Sequence, residues 1–147
     1  AKHQNHSRYL IGNADLQGFQ PEEIKILSLA ARYHRGSSPS TSHEKFRMLD
    51  APLRRRVEQL AGLLRIAEAL DRSHFQNVTA LRASLSPSEL RIAVETKGDP
   101  QLEVWAAGQD GSLFERAFDR RLVVETTSIP VHTNGEPVPA SVTHSTP

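Results

Sequence analysis

The 147-residue sequence contains no cysteine. Disulfides, thiolate nucleophiles and zinc–thiolate centres are therefore excluded, and any metal ion would need histidine and carboxylate ligands. Aromatic residues make up only 5% of the chain, which disfavours nucleic-acid binding by base stacking. No apolar run reaches the roughly 18 to 20 residues that cross a bilayer. We therefore expect a soluble, cytoplasmic protein without a membrane partner.

Charge is distributed unevenly along the chain. Residues 1–76 carry 12 Lys and Arg against 8 Asp and Glu, whereas residues 77–147 carry 6 against 9. The net charge of +1 therefore conceals a basic first half. A basic surface attracts anions through Coulomb energy and the release of counterions, and this favours phosphates and nucleic acids equally.

Helix signals dominate the first half of the chain. Pro21 suits the first position of a helix, and Gly36 is a natural stop. Asp50 has the side chain of an N-cap residue and precedes a long run with helical periodicity. The predicted helices cover residues 3–13, 21–35, 44–49 and 51–72.

Signals for strands follow Asn77. The segments "VTALRASL" and "ELRIAVETK" flank the turn "SPS" and predict a hairpin. The stretch "QLEVWAAGQDGSLFERAF" is compatible with strand or helix, a helix being favoured over residues 111–118, and "RRLVVET" is typical of a closing strand. The expected units are a helical domain over residues 1–76, a small α/β subdomain over 77–126, and a disordered or extended tail over 127–147.

Polar groups fall on predicted apolar helix faces. At 100° per residue, His34 lies near the middle of the apolar arc of its helix, and Asp71 lies at the centre of the leucine-rich face of the next, with Glu68 at the edge. His6 shares a face with His3 in the first helix. A buried carboxylate needs a cation, hydrogen-bond donors or a metal. His6, His34 and Asp71 could therefore hold a divalent ion or a phosphate.

Simpler interpretations stand beside this one. A histidine at the end of an apolar helix face is commonly a hydrogen-bonded core residue, and an aspartate near a helix C-terminus commonly caps it or pairs with an arginine, here Arg35 or Arg72. The triplet at residues 54–56 is expected to be a solvated arginine face. Trp105 is expected to be a core residue of the β-rich part.

Four segments in order resemble the C-terminal part of the exopolyphosphatase/guanosine pentaphosphate phosphohydrolase (Ppx/GppA) family: "HSRYLIGNADLQGF", "ARYHRG", "LLRIAEALDRSH" and "LEVWAAGQDGSLFERAFDRRLVVE". The resemblance spans about residues 2–125. It implies a hydrolase in which two N-terminal lobes of the actin-like ATPase fold hold Mg²⁺ and remove the terminal phosphate of polyphosphate or guanosine pentaphosphate. Those lobes are not in this sequence, so the resemblance implies no catalytic residue and no cofactor here, and we expect no activity from this chain alone.

The resemblance further implies an α+β protein, with an HD-like all-helical bundle followed by a small subdomain of hairpin, helix and strand, and a homodimer. A metal-dependent HD domain needs an adjacent His-Asp pair, which this sequence lacks, and its late acid would align with Glu68 or Asp71. We therefore expect no metal and regard Glu68 and Asp71 as a structural polar centre. The expected polyphosphate ligands are His6, Arg8, His34, Arg35 and Arg72.

Three functions remain open at this point. The first is the substrate-binding and dimerisation region of an exopolyphosphatase. The second is an HD-type metal-dependent phosphohydrolase, which the missing His-Asp pair disfavours. The third is a basic nucleic-acid-binding helical module, which the low aromatic content disfavours.

Overall fold

The structure is a computed structural model that describes residues 3–72, 74, 77–99 and 101–127. Helices and strands both occur in these residues, which confirms the predicted α+β class, whereas the HD-like character of the helices stays a prediction. The predicted tail over residues 127–147 lies, beyond residue 127, outside the described part of the chain. The elements are α1 (His3–Asn13), α2 (Pro21–Tyr33), α3 (Glu44–Arg47), α4 (Ala51–Leu70), β1 (Val78–Leu85), β2 (Glu89–Thr96), α5 (Gln101–Asp110), α6 (Ser112–Phe118) and β3 (Arg121–Thr127).

Local hydrogen bonds explain where the two central helices begin. Before α2, the backbone N–H of Gln20 donates to the Glu23 carboxylate at 2.7 Å. Before α4, the Asp50 carboxylate accepts from the backbone N–H of Leu53 at 2.9 Å. Each contact satisfies a backbone or side-chain group at the first turn, where intrahelical partners are missing. The predicted N-cap at Asp50 is confirmed.

The three strands form one sheet in the order β1, β2, β3. β1 and β2 pair antiparallel, as the predicted hairpin requires, and β3 pairs parallel to β2. Parallel neighbours need a crossover connection, and α5 and α6 supply it. Ile92 and Val94 of β2 are buried, whereas residues 79–85 of β1 are exposed. One face of the sheet therefore packs on helices, and β1 is an exposed edge.

Two clusters of buried side chains share α4. One cluster joins the end of α4 to β2, α5 and α6, and the other joins the earlier part of α4 to α2, α3 and Leu113 of α6. Both clusters draw on residues from each side of position 76, so the domain division there stays a prediction. The first contains Ile66, Ala69, Leu70, Ile92, Val94, Ala106, Ala107 and Phe114; the second contains Ile26, Leu29, Tyr33, Phe46, Val57, Ala61 and Leu113.

The buried face of α4 differs from the leucine-rich face that the helical projection predicted. Leu60 and Leu64 are 37% and 44% exposed, whereas Ala61 and Gly62 are buried. A Cβ atom added to Gly62 would lie 2.9 Å from the Cα of Phe114 in α6. The helices approach so closely that small residues, and not the leucines, occupy the contact. The predicted inward face was therefore wrong for Leu60 and Leu64, although Val57 of the same face is buried.

The prediction that Trp105 is a core residue was also wrong, because 64% of this residue is exposed. Its helix, α5, buries Glu103, Ala106 and Ala107. At 100° per residue these three share one side of the helix, and Trp105 lies on the opposite side. No helix in the described part of the chain is long and apolar enough to span a membrane.

Candidate functional site

Three polar side chains meet where α1 begins, α2 ends and α4 approaches its last turn. His3 is the first residue of α1, His34 is the C-cap of α2, and Glu68 lies two residues before the end of α4. The Nε2 atoms of the two histidines are 3.3 Å apart, and Glu68 Oε2 lies 3.7 Å from His34 Nε2. All three atoms lie within 4.8 Å of one another. We call this group the His–His–Glu cluster.

Neighbouring groups orient the cluster. The Ala31 carbonyl oxygen lies 2.5 Å from Nδ1 of His34. A carbonyl only accepts, so Nδ1 carries the proton and a neutral His34 has its lone pair on Nε2. Arg35 Nε donates to Glu68 Oε1 at 2.9 Å, while the other carboxylate oxygen, Oε2, is the atom nearest His34. The cluster therefore directs unshared electron pairs from His34 and Glu68 toward a common region.

Two of the polar residues that were expected to face inward lie elsewhere. His6 is exposed, and the Asp71 side chain is 60% exposed, with its carboxylate 3.4 Å from His74. The inward prediction for both residues was wrong. Because the buried face of α4 is rotated from the leucine face, Asp71 turns outward and Glu68 takes the inner position. On α1, the ring of His3, at the start of the helix, reaches His34. The side chain of His34 is partly buried, with 18% exposed.

The expected phosphate-binding arginines are partly engaged within the protein. Arg35 is held by Glu68, and Arg72 Nη2 donates to Asp110 Oδ2 at 2.5 Å. Either arginine would have to share its guanidinium with these acids in order to bind phosphate. The buried Nε atoms of Arg8 and Arg72 have no hydrogen-bond partner among the described residues. Their role as phosphate ligands stays a prediction.

A buried framework holds the backbone next to the cluster. Tyr33 is 0% exposed and its hydroxyl lies 2.9 Å from Nδ1 of His43; burial raises the pKa of Tyr33, so this phenol stays protonated. Arg65 Nε donates to the Tyr33 carbonyl at 2.9 Å, and its Nη2 donates to the Gly36 carbonyl at 3.1 Å. The rotation of α4 away from its leucine-rich face brings Arg65 to this inner position. The framework fixes the segment that carries His34.

A second basic feature lies beside the start of α4. Arg54 and Arg55 of α4 and Arg116 of α6 line an open cavity of about 650 Å³, whose lining also includes the acid Glu58. Glu58 Oε1 lies 4.0 Å from Arg116 Nη2. Apolar side chains, among them that of Phe46, complete the wall. We call this the arginine cavity; it concentrates three cations against one carboxylate.

The sequence assigned the arginine triplet to a solvated face, and two of its members line this cavity. Arg56 lies apart from them, beside a different and more apolar cavity that includes Phe19 and Phe118. The run of three cations at the start of a helix was the available signal. Its significance depends on Arg116, which is 60 residues further along the chain than Arg56 and reaches the site only through the packing of α6 on α4.

One comparison with known proteins bears on these features. A family model described as Ppx/GppA phosphatase, domain III, matches residues 1–103, which is more than two thirds of the 147 residues. No curated protein matches the chain at a significant level. The matched range contains the His–His–Glu cluster, Arg54 and Arg55, whereas Arg116 lies beyond it.

Proposed function

Because the chain belongs to the Ppx/GppA phosphatase family through its domain III, we propose that this domain binds the phosphate chain of the substrate while other lobes of the enzyme hydrolyse it. The family assignment makes the chain a domain of an exopolyphosphatase/GppA-type enzyme. The proposed ligand is inorganic polyphosphate or the phosphate arm of guanosine pentaphosphate. Both present closely spaced phosphate oxygens to the protein.

The arginine cavity is the observation that carries the proposal. Guanidinium groups form paired, charge-assisted hydrogen bonds with phosphate oxygens, and Arg54, Arg55 and Arg116 line the same concave surface. The 4.0 Å contact from Arg116 to Glu58 is long for a direct hydrogen bond. Arg54 and Arg55 make no ion pair within the described residues, so both are available to an anion.

Hydrolysis is assigned to other lobes because the His–His–Glu cluster, the metal-ligand group found among the described residues, does not suit Mg²⁺. That ion takes oxygen ligands in near-octahedral geometry, commonly carboxylates, substrate phosphates and water. The His–His–Glu cluster offers two nitrogens and one carboxylate. The domain would instead contribute binding energy from parts of the substrate remote from the reacting phosphate, which positions that phosphate for attack.

The proposal extends to the parent enzyme. We infer actin-like lobes that hold Mg²⁺, a homodimeric assembly and a cytoplasmic location for the complete protein. Exposed apolar side chains on the sheet edge and α5 support a further protein contact, because Leu81, Leu85 and Trp105 are between 56% and 69% exposed.

Binding of polyphosphate to the chain tests the proposal, using three double variants that each remove two positive charges. Arg54→Gln with Arg55→Gln alters the arginine cavity. Arg35→Gln with Arg72→Gln alters the set that the sequence favoured. Arg82→Gln with Lys97→Gln is the matched control, called the hairpin control, since both residues are exposed, Arg82 in β1 and Lys97 directly after β2. The cavity variant should bind at least about tenfold more weakly, because a hydrogen bond to a charged group contributes about 1.5–3 kcal/mol, and the hairpin control should bind nearly as well as the wild type.

Equal losses in all three variants would mean that polyphosphate responds only to net charge, and the proposal would then fail. A loss confined to the Arg35 and Arg72 variant would assign phosphate binding to the other end of α4 and reject the arginine cavity. Circular dichroism of each variant verifies that the helices are intact.

A further inference from the structure

We propose that the His–His–Glu cluster binds one divalent transition-metal ion of the zinc class, through Nε2 of His3, Nε2 of His34 and Oε2 of Glu68. The proposal is independent of phosphate binding. It also departs from the sequence-based expectation of no metal, which rested on the absence of the adjacent His-Asp pair of an HD domain.

The spacing of the three atoms matches metal coordination. With metal–nitrogen bonds of about 2.0–2.1 Å and tetrahedral angles, two nitrogen ligands lie about 3.3–3.4 Å apart. The two Nε2 atoms are 3.3 Å apart, and the carboxylate oxygen is 3.7 Å from His34 Nε2. Small side-chain rotations would bring all three atoms to one ion. Three protein ligands would leave a fourth position for water.

The groups around the cluster are those that orient metal ligands in proteins. A ligating histidine commonly donates its other ring N–H to a backbone carbonyl or a carboxylate, and ligating carboxylates are themselves hydrogen-bonded. His34 donates Nδ1–H to the Ala31 carbonyl, and Glu68 is held through Oε1 by Arg35. Both ligands thus keep their binding atoms, Nε2 and Oε2, directed at the same region.

The ligand types narrow the choice of ion. Imidazole nitrogens favour zinc, copper and nickel over magnesium and calcium, which prefer oxygen. The Arg35 guanidinium adds a positive charge next to the site and lowers its affinity for any cation. The site therefore suits a divalent transition-metal ion that binds nitrogen strongly, such as Zn²⁺.

The ion would tie α1 to the rest of the fold. No residue of α1 is buried, so this helix contributes little to either core cluster. His3 lies in α1, His34 follows α2 and Glu68 lies in α4, so one ion would join three elements. Because the assembled site exists only when these elements are in place, metal binding should stabilise the folded state.

The test uses the chain without an added histidine tag, stripped of metal by a chelator. Zn²⁺ binding is measured by calorimetry, and Co²⁺ binding by the visible absorption that distinguishes tetrahedral coordination. The variants are His3→Ala and Glu68→Gln, and the control is His6→Ala, an exposed histidine in the same helix. His3 is exposed and Gln matches Glu in shape, so both variants should retain the fold. The melting temperature of each variant, measured in the presence of chelator, checks this.

One equivalent of Zn²⁺ should bind and raise the melting temperature. His3→Ala and Glu68→Gln should each weaken binding by at least about tenfold, since even the loss of an outer-shell partner costs about 10–100-fold; His6→Ala should bind as the wild type does. The proposal is overturned if the chain binds no Zn²⁺, if both cluster variants keep the wild-type affinity, or if His6→Ala loses as much as they do.

Discussion

At the scale of single residues, the smallest side chains of α4 decide which polar groups reach the interior. Gly62 packs against the backbone of Phe114, and this contact sets the rotation of α4 about its axis. That rotation directs Glu68 toward His34 and leaves Asp71 exposed. The position of His34 could be predicted, since it follows from the periodicity of α2 alone. The identity of its acidic partner could not, since it depends on a contact between α4 and α6.

We predict that Gly62→Ala destabilises the protein by about 1–3 kcal/mol, the usual cost of overpacking. The new Cβ would meet Phe114 Cα at 2.9 Å and its backbone nitrogen at 3.0 Å, and backbone atoms cannot move aside as the end of a side chain can. Urea unfolding measures the free energy.

Gly108→Ala is the matched control, because Gly108 lies in α5 with no heavy atom within 4 Å of an added Cβ. Alanine there should stabilise the helix by up to about 1 kcal/mol. The close approach of α4 and α6 is refuted if both substitutions stabilise the protein equally.

At the scale of elements, charged side chains link the starts of β2 and β3. Arg121 Nη2 and Arg91 Nη2 donate to the two oxygens of Glu89 at 2.9 and 2.8 Å, and Arg91 Nη1 donates to Glu125 at 2.7 Å. The hydrogen bond from Arg121, with the charge of Arg91, lowers the pKa of Glu89. This network holds the parallel strand pair together at the end where β3 enters the sheet.

We predict that Glu89 contributes stability that is lost in acid. Its pKa is lower in the folded state than the ordinary value of 4.5, so the contribution is complete above that value and disappears as the pH falls through the folded pKa. Glu89→Gln should therefore be less stable than the wild type at pH 7, and the difference should narrow below about pH 4.5.

Urea unfolding at a series of pH values checks this prediction. Glu95→Gln, on the same strand, is the control, because Glu95 makes no ion pair in the described part of the chain. The difference in the free energy of unfolding between Glu95→Gln and the wild type should not narrow in the same way as the pH falls. If the difference in the free energy of unfolding between Glu89→Gln and the wild type stays constant from pH 7 to pH 3, the Arg121 contact does not contribute to stability.

The elements themselves were largely predictable because their signals are local. Pro21, Asp50 and the "SPS" turn mark boundaries through the conformations and hydrogen bonds of a few neighbouring residues. The segment 101–110 was ambiguous because its apolar residues suit either a strand or a helix, and only its packing on α4 and the sheet selects the helix. The parallel pairing of β3 with β2 also depends on contacts between distant parts of the chain, so local signals could not predict it.

At the scale of the whole molecule, α4 separates two candidate sites. Arg54 and Glu68 are 14 positions apart in this helix, which corresponds to about 21 Å at 1.5 Å per residue. The arginine cavity and the His–His–Glu cluster are thus at opposite ends of one rigid element. Phosphate binding at one end and metal binding at the other can be abolished separately.

The sequence located the basic half of the molecule and its family, but placed the phosphate ligands near His34. Helical projection treats each helix alone, so it finds groups on one face and cannot find a cavity shared by two helices. Arg116 joins Arg54 and Arg55 only because the chain returns to α4 after forming the hairpin and α5. The cavity is therefore a property of the assembled fold.

The most direct test of phosphate binding in the arginine cavity is the salt dependence of polyphosphate affinity, measured for the wild type, the Arg54→Gln, Arg55→Gln double variant and the hairpin control. Each lost cation–phosphate contact should reduce the slope of log affinity against log salt by roughly 0.7–0.9, the value for nucleic-acid phosphates. We predict a shallower slope for the cavity variant, by roughly 1.4–1.8, and an unchanged slope for the hairpin control. Identical slopes for all three proteins would contradict the assignment of phosphate binding to this cavity.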